Sequence, residues 1–194
     1  MAFWLESVTM RIEGIGPFSP RDPRDERDWR RIAAFVAQQG LSAFSRDAMI
    51  GGHVTGSACV LSADGTSMLL THHAKLDRWL QLGGHCDGVA DARFVATKEA
   101  YEESGLARLR LLSDRVFDVD IHEIPASAKE PAHLHYDVRF LMQAEAGAIR
   151  ASQESKALAW VPLTRLEDYT QEPSVLRLRD RLAGWRPTSD TAPG

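Results

Sequence analysis

Apolar positions along this chain change their repeat several times, and the changes mark out its elements. Trp29, Ile32, Ala33 and Val36 recur at i, i+3, i+4 and i+7, the stripe of an amphipathic helix. Asp22-Pro23-Arg24-Asp25 supplies an N-cap oxygen, a proline at the first helical position and an acid in the first turn, and Gly40 marks the stop. From Gly56 the period shortens to that of strands. Segments 57–62 and 67–72 flank Ala63-Asp64-Gly65-Thr66 and read as a hairpin. A short strand-like run over 78–82 ends at Gly83-Gly84, where the backbone is free to turn tightly or to approach a ligand. The period then returns to helical over 91–104, with Gly105 placed for the left-handed position that ends a helix.

Two further segments alternate cleanly. In 117–123, Phe117, Val119 and Ile121 form one face and Asp118, Asp120 and His122 the other. In 133–142, Leu134, Tyr136, Val138, Phe140 and Met142 oppose His133, His135, Asp137 and Arg139. The connection between them, with two prolines, reads as a loop. A last short strand is expected at 158–161. Thr164 and Glu167 then read as a capping box for a following helix, and 174–183 as a closing helix ending at Gly184. Arg177, Arg179 and Arg181 read as a solvated face of that helix. Strands interleaved with helices predict an α/β or α+β sandwich.

At 194 residues, 44% hydrophobic and 26% charged, the chain suits one globular domain with an appendage and enough apolar material for a core. Residues 1–50 read as an N-terminal helical extension and a candidate dimer element, 51–184 as the main domain and 185–194 as a disordered tail. The net charge of −4 argues against nucleic acid or an anionic membrane as partner. Cys59 and Cys86 are the only cysteines, so no disulfide framework is expected. The first residues lack a basic region ahead of an apolar stretch, and no apolar run nears the ~20 residues that span a bilayer. A cytoplasmic location is the expectation.

The chemistry concentrates between Gly84 and Leu106. Glu99, Glu102 and Glu103 fall at i, i+3 and i+4, on one side of the expected helix. That arrangement works against the helix: Glu99 and Glu103 are a like-charge pair, and both lie near the end where the dipole disfavours anions. Lys98 is spaced to reach Glu102. A divalent cation would turn this liability into a site. Carboxylates without Cys or His on the same helix favour a hard ion, Mg²⁺ or Mn²⁺.

Gly84, five residues, Ala90, seven residues, then Lys98-Glu99-Ala100-Tyr101-Glu102-Glu103-Ser104-Gly105-Leu106 resembles the Nudix box. Together with the strand leading into Gly83-Gly84 and the Trp160-Val161-Pro162-Leu163 stretch, the resemblance covers residues 52–170. Two positions depart from the motif: Ala90 stands where the family has its first Glu, and Lys98 where it has Arg. Lys98 keeps the charge but not the bidentate fork. Asp87 and Asp91 are the nearby carboxylates that would stand in for the missing one. The resemblance implies a Nudix-type α/β/α sandwich with a mixed sheet. It implies Mg²⁺-dependent hydrolysis, with Mn²⁺ an alternative, of a small-molecule nucleoside diphosphate linked to a further group. Glu99, Glu102 and Glu103 would hold the metal, Lys98 would orient Glu99, and Glu154 is the candidate loop base. The two departures also leave a second reading, a catalytically weak Nudix domain that senses such a ligand.

Seven histidines are the other unusual feature, at 53, 72, 73, 85, 122, 133 and 135. His133 and His135 share a strand face, and His122 is placed to lie across the pair. With Asp120 or Asp137 they read as a softer site for Zn²⁺, as a substrate-pocket wall with Arg139 reaching a phosphate or carboxylate, or as a wet outer face. His85, following the glycine pair, is a further candidate for contact with the phosphates. Cys86 beside it reads as a packing residue.

Overall fold

The computed structural model describes residues 10–153 and 155–185. β1 (Met10–Ile12) and β2 (Gly16–Phe18) form a small antiparallel ribbon that leads into α1 (Pro23–Gln39). The Asp22 carboxylate accepts from the Asp25 amide at 2.8 Å, the expected cap, and the chain leaves α1 through Gly40 at φ +56°. β3 (Gly52–Leu61), β4 (Ser67–His73), β5 (Arg78–Leu80) and β6 (Leu82–His85) precede α2 (Ala92–Ser104). β7 (Arg108–Leu111), β8 (Asp118–Ile124), β9 (His133–Ala146), β10 (Ser155–Pro162) and α3 (Pro173–Ala183) follow.

The long strands make one mixed sheet of eight, ordered β10-β4-β3-β9-β7, with β5 on β4, β6 on β3 and β8 on β9. β3 is its centre. All ten of its residues are buried, and it runs parallel to β9 from Gly52 against Leu134 to Leu61 against Gln143. The expected hairpin over 57–72 exists only at its tip, where Leu61 opposes Met68. Beyond that pair the strands part: β3 turns to β6 and β9, and β4 to β5 and β10. A strand buried on both faces needs backbone partners along its whole length, and a two-stranded hairpin supplies only one edge.

Alternation along β3 and β9 builds two cores. Val54, Ala58 and Val60 with Val138, Phe140 and Met142 face Trp29, Ile32 and Phe35 of α1 and Ala92, Val95, Ala96 and Ala100 of α2. Cys59, Leu61 and Leu141 face the other way, onto Met68, Leu70, Val161 and the α3 residues Val175 and Leu178. Helices thus cover both faces of a mixed sheet, an α/β/α sandwich. The stripe of α1, a candidate dimer element, is buried in this chain's own core; Phe35 stacks on Tyr136 at 4.2 Å. Cys59 and Cys86 are buried free thiols. Among the described residues, no helix is long and apolar enough to cross a membrane.

Two local expectations fail near the C-terminus. The segment Leu163–Asp168 is a 3₁₀ helix whose cap position is Pro162, with no side-chain cap bond. Glu167 instead pairs with Arg179, so the Thr164/Glu167 capping box does not form. Of the three arginines taken for a solvated face, only Arg179 keeps to the surface. Arg181 is buried against Asp25 at 2.7 Å, and Arg177 bonds both Asp25 and Asp118. The carboxylates of α1 and β8 recruit them across the fold, a demand invisible in the local pattern of α3.

Candidate functional site

Helix α2 is seated on two glycines. Gly56 and Gly84 oppose one another in the β3–β6 register, and both lack the side chain that would hold the helix off. A Cβ at Gly56 would stand 2.5 Å from the Ala92 carbonyl oxygen and 3.0 Å from the Ala96 nitrogen. A Cβ at Gly84 would stand 2.7 Å from the Glu99 carboxyl carbon. Asp91 caps the helix by accepting from the Phe94 amide at 3.0 Å, and Gly105 ends it at φ +66° while donating to the Tyr101 carbonyl.

The three carboxylates of α2 have different surroundings. Glu103 is buried and accepts from the Gly83 amide at 3.0 Å. Glu99 lies against Gly84, mostly covered, while Glu102 is exposed. Lys98 bridges them, its Nζ 3.0 Å from Glu99 Oε1 and 2.9 Å from Glu102 Oε2. Those bonds, to Glu102 first and then Glu99, push the Lys98 ammonium above its ordinary pKa. The repulsion expected between Glu99 and Glu103 is therefore answered inside the chain, by Lys98 on one and a backbone amide on the other.

Ala90 packs at the edge of the apolar core. The ribbon turn covers it: a Cβ at Gly14 would come within 2.9 Å of the Ala90 oxygen, and the Gly14 carbonyl accepts from the Ala92 amide at 2.8 Å. Of the two acids expected to compensate for Ala90, Asp91 is committed to the cap and Asp87 lies in a turn at φ +47°. Glu154, the candidate loop base, falls outside the described residues.

Arg139 does not reach outward as expected. It is 1% exposed, with Nε 2.7 Å from Asp137, Nη1 3.0 Å from Asp118 and 2.9 Å from the Ser174 carbonyl, and Nη2 3.4 Å from Asp120. Asp137 also accepts from the Thr55 and Ser57 hydroxyls at 2.9 and 2.7 Å. This polar layer ties β8 and β9 to α3, and a guanidinium so enclosed is a structural ion rather than a ligand contact.

The histidine group differs in membership from the one expected. His122 does oppose His135 across β8 and β9, but its Nδ1 bonds Asp120 at 3.1 Å, and His133 Nδ1 lies 2.9 Å from the Pro131 carbonyl. The rings nearest one another around His135 are those of His53, at 4.7 Å between centroids, and His85, at 5.1 Å. Burial, aided by His85 and His133, pushes the His53 imidazole down to about 4. Burial also lowers His85 and His135. No local pattern assigns His53 to the group, because its partners are distant in the chain. Only the parallel register of β3 with β9, which sets it opposite His135, brings them together.

Solved structures share this architecture. An Ap4A hydrolase from C. elegans, solved as a binary complex, is 16% identical, matches over 68% of this chain and 98% of its own, and superposes with a TM-score of 0.55. A NUDIX-family hydrolase from Clostridium perfringens is 24% identical over 68% of this chain and 96% of its own, at 0.52. The NUDIX domain of Shewanella oneidensis NrtR, complexed with ADP ribose, is 15% identical over 78% and 96%, at 0.50. No protein-family model matches the sequence, and no curated protein matches it. The chain has the Nudix fold.

Proposed function

We infer that the protein is a pyrophosphohydrolase, dependent on Mg²⁺ or Mn²⁺, that cleaves a nucleoside diphosphate linked to another moiety. The observation that carries this reading is the grouping of Glu99, Glu102 and Glu103 on one side of α2, with Glu103 bonded to the Gly83 amide and Glu99 against Gly84. The carboxylates offer only oxygen donors, the chemistry hard divalent ions prefer. Lys98 already bonds one oxygen each of Glu99 and Glu102, so a cation would share or displace that charge. The donor set fits Mg²⁺. Bound there, the ion would neutralise the diphosphate and lower the pKa of an attacking water.

The chain's own residues supply the rest. Glu103 is fixed by the Gly83 amide, so its carboxylate needs no reordering to act. Lys98 bonds Glu99 Oε1 at 3.0 Å and so orients its carboxylate. With no side chains at Gly83 and Gly84, the backbone itself approaches whatever binds beside Glu99. Glu154, by its place in the sequence, is our candidate for the loop base. Two of the structural neighbours support this substrate class, one being a hydrolase of Ap4A and the other a domain complexed with ADP ribose, both compounds that contain a nucleoside diphosphate.

The test is phosphate release from nucleoside triphosphates, ADP-ribose, sugar nucleotides, dinucleoside polyphosphates and coenzyme A. It should be run with Mg²⁺ and then Mn²⁺, with auxiliary phosphatase where needed. Glu103→Gln should lose turnover by two orders of magnitude or more while remaining folded. A folded wild-type protein that is silent across the panel, or a Glu103→Gln protein that matches it, would sink the reading.

A further inference from the structure

Three imidazoles from three strands converge on the face of the sheet turned away from α2. His53 stands at the start of β3, His85 ends β6, and His135 lies on β9 as the register partner of His53. One ring nitrogen from each lies within 4.8 Å of the other two. Among the described residues this is the one such group of three; the α2 glutamates, held by Lys98 and the Gly83 amide, do not form another.

His53 is the informative member. It is 1% exposed, and both of its ring nitrogens are buried without a hydrogen-bond partner among the described residues. An unsatisfied buried polar atom is costly, and native proteins rarely leave one without an ion or a water to meet it. Three rings that face one another and offer lone pairs to the same small volume are arranged for a shared cation.

We propose that His53, His85 and His135 bind one divalent transition-metal ion, Zn²⁺ by the character of the donors, at a site separate from the α2 carboxylates. Imidazole nitrogen is a borderline donor that suits Zn²⁺ and its first-row neighbours, whereas Mg²⁺ prefers oxygen. Zn–N bonds of about 2.0–2.1 Å place tetrahedral donors roughly 3.4 Å apart. Nitrogens already within 4.8 Å of one another stand close to that spacing. The nearby acids are occupied, Asp137 by Arg139, Thr55 and Ser57, and Asp120 by Arg24, His122 and Arg139. Three protein ligands therefore leave a fourth position to water or an exchangeable group, as in open zinc sites. The separation from the glutamates follows from strand alternation. Gly84 faces Glu99, so His85, the next residue, projects from the opposite face of β6.

The experiment uses the untagged full chain, stripped with chelator and titrated with Zn²⁺ or Co²⁺. Bound metal is counted by elemental analysis, and the Co²⁺ complex is read by visible absorption. One equivalent is expected, with the intense d–d bands of a four-coordinate cobalt centre and a Zn²⁺-dependent rise in Tm. His53→Gln and His135→Gln, checked for folding by circular dichroism, should each weaken binding at least tenfold. Glu103→Gln and His122→Gln should retain the full equivalent and the same bands. The proposal is overturned if wild-type protein binds no Zn²⁺, if His135→Gln binds as tightly as wild type, or if Glu103→Gln abolishes the bands. The last outcome would place the ion at the carboxylates. Should His53→Gln fail to fold, His85→Gln and His135→Gln carry the same test.

Discussion

Substituting Gly56 by Ala isolates the contact that sets the height of α2 above the sheet. The added Cβ would stand 2.5 Å from the Ala92 carbonyl oxygen, 3.0 Å from the Ala96 nitrogen and 3.2 Å from the Val95 Cβ. Ordinary carbon contacts lie near 3.5 Å or beyond, so the helix must lift by about 1 Å. Two of the three obstructing atoms are backbone and have no rotamer through which to yield. Two effects oppose one another. Replacing glycine in a strand interior gains about 0.5–1 kcal/mol of chain entropy, while overpacking a closed core costs about 1–3 kcal/mol. The steric term wins, with a net loss of roughly 1–2 kcal/mol, or a Tm lower by about 2–8 °C for a chain of this size. The same lift carries Glu99 and Glu103 away from Gly84 and Gly83, and a 1 Å misplacement of catalytic groups costs on the order of a hundredfold in rate. Thermal unfolding followed by circular dichroism and turnover of the substrate found in the panel measure the two consequences. Gly40→Ala is the control: it has φ +56° but nothing within 4 Å, so it should lose stability and keep its turnover. A Gly56→Ala protein with wild-type Tm and wild-type turnover would refute the claim that this contact positions the helix.

Three further outcomes are expected. Arg139→Met leaves Asp137 buried without its guanidinium, while Asp118 keeps Arg177, and should cost about 3–5 kcal/mol in urea denaturation; a loss below about 1 kcal/mol would show that the layer is not coupled to folding. Burial raises the Asp120 carboxyl, but the His122 bond, Arg139 and Arg24 outweigh it and hold it well below the ordinary range. Its contribution is therefore present above pH about 4 and lost as pH falls below that value, so Asp120→Asn should flatten the acid limb of the stability profile, and an unchanged limb would contradict the assignment. Burial pushes the Cys59 and Cys86 thiols up to about 12, so neither should react with iodoacetamide at pH 8 in the folded protein, and rapid labelling of either would refute its enclosure.

Much of this molecule is readable in one dimension because its signals are local. The Asp22 cap and Pro23 of α1, the Asp91 start and Gly105 end of α2, and the alternating faces of β8 and β9 all rest on periodicity and turn chemistry within a few residues. So does the clustering of Glu99, Glu102 and Glu103 on one helix side, together with the reach of Lys98 to Glu102. Other features depend on residues far apart in sequence that meet only when the sheet closes. Nothing near Gly56 announces that a helix will rest on it. Nothing in the pattern of α3 announces that Asp25 and Asp118 will draw Arg177 and Arg181 inward. The parallel pairing of β3 with β9 decides the most. It takes a strand that reads as one arm of a hairpin to the centre of the sheet, encloses Arg139, and sets His53 beside His135 and His85. Local sequence selects each element and its faces; register and burial, which only the packed sheet imposes, select the neighbours those faces meet.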